Sequence, residues 1–181
     1  MQETIAQIIG IFAAALNISS FQCKSKNKLI FIQLFGGLLF AANYLLLGAI
    51  TGALMNGLAV VRAILFLYKD KLHINDKLLV GGFILAFLVS YALTFTIFGV
   101  EPTAKNFILE ALPIIGMSAA TISFNMKNTK AVRFMTLILG SPSWLIYNIF
   151  VGSVGAILCE AFSIISITIG IIRHDIKRKP K

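Results

Sequence analysis

Three ionisable side chains fall inside otherwise apolar stretches of the chain: Arg62, Glu110 and Glu160. An ionisable group at the centre of a membrane helix costs about 2.5–3.5 kcal/mol on insertion scales, so each needs a compensating partner or a function. Glu160 lies near the middle of the last stretch. Ser153, Ala156 and Ser163 share its helical face. That small, polar face suits a bundle interior. Two readings fit Glu160: a protonatable ligand for a substrate or coupling ion, and a structural carboxyl hydrogen-bonded to a neighbouring helix. Arg62 fits a side chain snorkelling to the nearer interface, or a gate or substrate contact. An ion pair between Arg62 and Glu160 is a further hypothesis, since their depths differ by about one helical turn. Glu110 falls in the first turn of its stretch, where the positive end of the helix dipole suits a carboxylate.

Neutral polar groups gather toward one end of the same stretches: Asn43, Asn56 and Asn148. Ser141, Trp144 and Asn148 share one helical face. An inward indole beside an amide suits the floor of a sugar or flat heterocycle site; packing with an interhelical hydrogen bond suits it equally. The substrate-binding candidates are therefore Asn43, Asn56, Trp144, Asn148 and Glu160. Pro113 and Pro142 fall near the middle of two stretches and free the carbonyls of Leu109 and Ile138, which makes them hinge candidates. Small residues at spacing four, Gly10 with Ala14 and Gly116 with Ala120, favour close helix packing.

No catalytic or metal-binding set is visible. No apolar stretch contains His, His73 and His174 lack ligand spacing, and no nucleophile–base pair stands out. The last stretch has no Lys for a retinal Schiff base. The expectation is a non-enzyme without a cofactor. Cys23 and Cys159 should lie at different depths, which disfavours a disulfide.

The elements that must hold these residues are membrane helices. The chain is 58% apolar and 13% charged, with mean hydropathy +0.90, against roughly half and a quarter in ordinary domains. A soluble fold of this length could not hide so much apolar surface. About 20 largely apolar residues cross a bilayer. Seven stretches qualify: Thr4–Gln22, Leu29–Ala49, Gly52–Tyr68, Leu78–Phe98, Phe107–Phe124, Val132–Val151 and Ser153–Ile172. Gly48 with Gly52, and Gly152 with Gly155, mark two tight helical hairpins. The first stretch has Glu3 in place of a basic leader region, so it reads as a retained helix.

The net charge of +9 does not point to nucleic acid, because no aromatic–basic platform or zinc spacing accompanies it. Basic residues lie between spans: Lys24, Lys26 and Lys28; Lys69, Lys71 and Lys77; Lys127, Lys130 and Arg133; and the tail from Arg173 through Lys181. The other side offers Lys105 beside Glu101. All basic joints fall on one face if the N-terminus is outside and the C-terminus is cytoplasmic. The expected partners are the lipid bilayer and anionic lipid at the basic joints and tail. A small-molecule substrate and a homo-oligomer remain open.

The chain also matches itself at an offset of 103 residues without a gap. Ser20-Phe21 falls on Ser123-Phe124, Lys24 on Lys127, Phe31 on Phe134 and Leu34 on Leu137. Gly37 falls on Gly140, Tyr44 on Tyr147, and Gly52-Ala53 on Gly155-Ala156. The expected fold is an all-α membrane protein of seven transmembrane helices. Residues 1–70 and 105–173 form two parallel three-helix repeats, 78–98 a linker helix, and 174–181 a basic cytoplasmic tail.

The stretch from Trp144 through Tyr147, Asn148, Gly152, Ser153 and Gly155 to Glu160 resembles the signature region of the YgjV family of bacterial inner-membrane proteins. Leu112-Pro113 through Gly116, and Met55-Asn56-Gly57 through Arg62, resemble its other recurring stretches. That family is similar to the SWEET and PQ-loop transporter superfamily, though this chain has no Pro-Gln pair. The resemblance implies an inner-membrane location and a transporter-like fold, and it carries no substrate. Two functions follow as expectations: alternating-access transport of a small polar solute such as a sugar or vitamin, and a non-transporting sensor, scaffold or assembly partner.

Overall fold

The structure is a computed structural model. It describes residues 1–20, 22–23, 26–69, 71–123, 125–126 and 128–173, without the side chains of 26, 27 and 29. Phe21, Lys24, Phe124, Lys127 and the basic tail 174–181 lie outside the described residues.

Seven helices follow in order: α1 (Gln2–Ser20), α2 (Lys26–Leu46), α3 (Ile50–Tyr68), α4 (Asp76–Thr96), α5 (Ala104–Ser123), α6 (Thr129–Val151) and α7 (Val154–Ile171). Six of them are long and apolar enough to cross a membrane, and α2 contributes the shorter apolar stretch Ile30–Leu46. Several helices begin a few residues before the apolar stretch that announces them, because polar caps extend them. Asn75 accepts the Lys77 N–H and so starts α4. Asn128 accepts the Lys130 and Ala131 N–H groups and starts α6. Each cap satisfies amides that the first helical turn leaves without partners.

The two hairpins close on glycines in the left-handed region, Gly48 at φ 74° and Gly152 at φ 75°, where a Cβ would be strained. Gly52 and Gly155 lie a turn further on, inside α3 and α7. They are places of close approach. A Cβ on Gly155 would fall 2.1 Å from the backbone of Gly10, so α1 and α7 cross there main chain against main chain.

The helices form a ring. α1 packs between α2 and α7, α2 against α3, α3 against α5, α5 against α6, and α6 against α7; α4 lies outside, against α3 and α5. The joints α1–α2, α3–α4 and α5–α6 fall at one end, which we call the basic end. There Lys69 pairs with Asp76 at 2.6 Å, and the Asn125 amide donates to the Asp76 carbonyl. The α2–α3 and α6–α7 joints and the start of α1 meet at the opposite, hairpin end. Large apolar side chains line the outside, among them Ile108, Leu85, Phe150, Ile138 and Ile165, while Asn43, Thr51, Thr94, Thr121 and Asn148 are buried. This polarity inverts that of a water-soluble domain and suits lipid.

The two prolines are accommodated differently. α5 continues through Pro113, which is buried. α6 instead contains a π-helical turn, Thr136–Gly140, whose end is fixed by the Ser141 N–H on the Thr136 carbonyl. Pro142 follows in the first turn of the α-helix that resumes at Ser141, where a missing N–H is tolerated.

Candidate functional site

The hairpin end is tied shut by hydrogen bonds between elements distant in sequence. The Tyr44 hydroxyl of α2 donates to Asn148 Oδ1 of α6 at 2.6 Å, and the Gly52 N–H of α3 donates to the Tyr147 hydroxyl of α6 at 3.0 Å. The two tyrosine rings lie 6.0 Å apart. The Thr51 and Thr94 hydroxyls meet at 2.8 Å and join α3 to α4. All of these groups are buried, so each bond also spares two polar groups an unsatisfied interior.

Beneath the tyrosines lies a cavity of about 230 Å³, lined by Asn17, Tyr44, Asn56, Trp144, Asn148, Glu160 and Ser163 among others. Two further cavities adjoin it toward the basic end. One, of about 420 Å³, shares Trp144, Glu160 and Ser163 and adds Gln33, Thr136 and Ser141. The other shares Asn17 and Asn56 and reaches Arg62. Together they make a polar path from the ring centre toward the basic end.

Asn56, Trp144, Asn148 and Glu160 thus stand around one space. Glu160 lies against the Ser141 hydroxyl of α6. Trp144 is half-buried and seated over Gly116, where a Cβ would meet its ring carbon at 2.5 Å. Gly116 therefore makes room for the indole. Asn56 uses its amide N–H on the Gly52 carbonyl one turn back, and Asn148 keeps its amide on Tyr44.

Asn43 does not line this cavity. Its amide donates to the Ala6 carbonyl at 2.7 Å and accepts the Ser153 hydroxyl at 2.7 Å, so it clips α1, α2 and the start of α7 together in a fully buried position. A buried primary amide with donor and acceptor both engaged has little left for a ligand. Arg62 and Glu160 are not joined by an ion pair: the pair among the described residues is Lys69 with Asp76. Nor does Arg62 snorkel. It is buried and donates to Thr121 Oγ1 and the Met117 carbonyl of α5. Glu110 sits in the second turn of α5, since that helix starts at Ala104, and its carboxyl lies against Thr51 of α3.

Asn17, Gln33 and the paired tyrosines were not singled out by sequence as ligands. Asn17 and Gln33 carried a usable signal, each being a lone amide among apolar neighbours on α1 and α2. The tyrosines were visible through the offset of 103, which marks positions without assigning them a role.

A cavity with three primary amides, a carboxyl, an indole and two hydroxyls offers donors, acceptors and a flat apolar wall. That is the chemistry of a small polar ligand. No curated protein and no solved structure matches the chain. Residues 4–178 match the model of the Imp-YgjV family, described as bacterial inner membrane protein. With that match over nearly its whole length, the chain belongs to the Imp-YgjV family and is a multi-pass protein of the bacterial inner membrane.

Proposed function

We propose that this protein carries a small polar solute across the bacterial inner membrane by alternating access between two related halves, residues 1–70 and 105–173. The helix at 78–98 links them in a three-plus-one-plus-three, SWEET-like layout. On this reading the N-terminus is outside, the hairpin end faces outward, and the basic end faces the cytoplasm. Alternation of the helices and the basic residues at one set of joints support that orientation.

The observation that carries the proposal is the central cavity, closed at the hairpin end by the Tyr44–Asn148 and Gly52–Tyr147 bonds and continued by polar linings toward the basic end. A solute path sealed at one end is one half of an alternating-access cycle. Two residues of the seal, Tyr44 and Tyr147, are related by the offset of 103. Support for two rocking halves comes from that repeat. Glu160, Trp144, Asn56 and Asn148 hold the solute, with Asn17 and Gln33 on its way to the basic end. No catalytic step is involved.

The test is solute flux into liposomes containing this protein alone, across sugars, nucleosides, vitamins and amino acids. A flux abolished by Glu160→Gln or Trp144→Ala, with folded protein retained, supports the reading. Absence of flux for every class, with a membrane protein co-purifying stably, would replace it with a non-transporting sensor, scaffold or assembly partner.

A further inference from the structure

Gln7 on α1 and Glu110 on α5 stand 103 residues apart, the offset that relates Tyr44 to Tyr147. Gln7 clips α1 to the start of α7. Its amide nitrogen donates to the Gly152 carbonyl at 2.7 Å, and its amide oxygen accepts the Val154 N–H at 3.0 Å. Glu110 occupies the corresponding place against the start of α3. It lies beside Thr51, which stands 103 residues before Val154. Each side chain thus stands against the start of the helix after a hairpin, Gln7 on the Val154 backbone N–H and Glu110 on the Thr51 side chain. Glu110 Oε2 is buried with no hydrogen-bond partner. A primary amide offers a donor and an acceptor at its two ends, and so does a carboxylic acid, whereas a carboxylate only accepts.

We propose that Glu110 is a proton-binding site whose occupation closes the hairpin end. An O–H bond forms between Glu110 Oε2 and a proton taken from water at that end. The acid then donates to a backbone carbonyl of the α2–α3 joint, as the Gln7 amide does at the α6–α7 joint. When the proton returns to water, the carboxylate faces that carbonyl oxygen to oxygen, and α5 parts from α3. The Gly52–Tyr147 bond of the seal starts one residue from Thr51, so parting there opens the seal.

The titratable neighbours leave this role to Glu110. Tyr91 faces it from α4 and Tyr147 from α6, and phenols ionise far above neutral pH. α3 offers Arg62, about 16 Å along the helix from Thr51, and Tyr68 further on at its end, and α6 carries Lys130 and Arg133 at the basic end. On the Glu110 side of the joint, Lys105 lies over the Phe150 ring and Glu101 precedes the helix. In a transporter such a site makes the proton the coupling ion. That coupling rests on the transport reading, but the latch does not.

The experiment is a distance between spin labels at Leu45→Cys and Ile108→Cys, both exposed, in the full chain with Cys23 and Cys159 changed to Ser. It is read by electron paramagnetic resonance in detergent at low and high pH. The wild-type distance lengthens as pH rises, and Glu110→Gln holds it at the short value throughout. In a second chain labelled at Ile8→Cys and Leu158→Cys, Gln7→Glu makes the α1–α7 distance pH-dependent where the wild type is not. A wild-type distance that ignores pH, or a pH response that survives Glu110→Gln, overturns the proposal. Failure of the transport reading shows differently, as absent flux with the pH response intact.

Discussion

Tyr44 donates its hydroxyl proton to Asn148 Oδ1 at 2.6 Å, while the backbone carbonyl of the same asparagine receives the Gly152 and Ser153 N–H groups at 2.9 and 3.1 Å. Asn148 is thus at once the stop of α6 and the acceptor that fastens α2 across the ring. Loss of either function should be felt at the seal.

Tyr44→Phe removes the donor and leaves a buried amide oxygen without a partner. The expected cost is about 1–3 kcal/mol, seen as a lowered midpoint of thermal unfolding in detergent. Tyr147→Phe removes the acceptor of the Gly52 N–H and should cost a similar amount. The double variant should cost less than the sum, because the rings are in contact.

Gly155→Ala should be severe. The added carbon would meet the main chain of Gly10, which cannot move as a side chain can, so the cost exceeds the roughly 1–3 kcal/mol of ordinary overpacking. Gly57, Gly81 and Gly82 have nothing within 4 Å of a built Cβ. Their alanine variants should purify and unfold like the wild type, and they serve as controls for the helix itself.

Gly116→Ala separates the cavity from the fold. The methyl group would push on the Trp144 ring, a movable side chain. The protein should stay folded, with a shifted Trp144 emission maximum, which is unambiguous because the chain has one tryptophan. Solute binding should fall along with it. Unchanged emission would mean that the indole is not held by α5.

Thr121→Val tests the seat of Arg62. It removes an acceptor from a buried cation while preserving shape, at an expected cost of about 1.5–3 kcal/mol. Arg62→Lys should also lower stability, since Nη1 alone reaches both Thr121 and the Met117 carbonyl and the shorter lysine side chain ends before that position.

A ligand found for the cavity should raise apparent stability by about 2.7 kcal/mol at a hundredfold excess over its dissociation constant. The Glu160→Gln variant should lose that gain while its own midpoint stays near the wild type. Asn43→Ala should do the opposite, lowering the midpoint and leaving ligand affinity intact in the folded fraction.

The spans were legible because hydropathy measures how poorly a segment suits water, and seven segments of this chain suit it poorly. The hairpins were legible because a left-handed turn favours glycine, as at Gly48 and Gly152. What hydropathy does not encode is which neighbour a polar side chain meets. Asn43 and Asn148 look alike in sequence, yet one is consumed by Ala6 and Ser153 while the other lines the cavity. Arg62 looked like an interfacial cation because the acceptors on α5, a threonine and a carbonyl, carry no charge to announce them. The π turn before Pro142 was illegible for a related reason: it lies in which carbonyl the Ser141 N–H selects, and side-chain composition does not record that choice.

The crossing of α1 over α7 at Gly10 and Gly155 has a mechanical consequence. Where two helices meet through side chains, turning one against the other means moving many rotamers through new grooves. Here the backbones touch with nothing between them, so the contact acts as a bearing: one helix can roll on the other about that point while their separation stays fixed. The opposite junction, α3 against α5, has no such glycine pair and is held by bonds that can break and re-form. On the transport reading, a ring with one bearing and one releasable seam would open like a jaw, always on the same side.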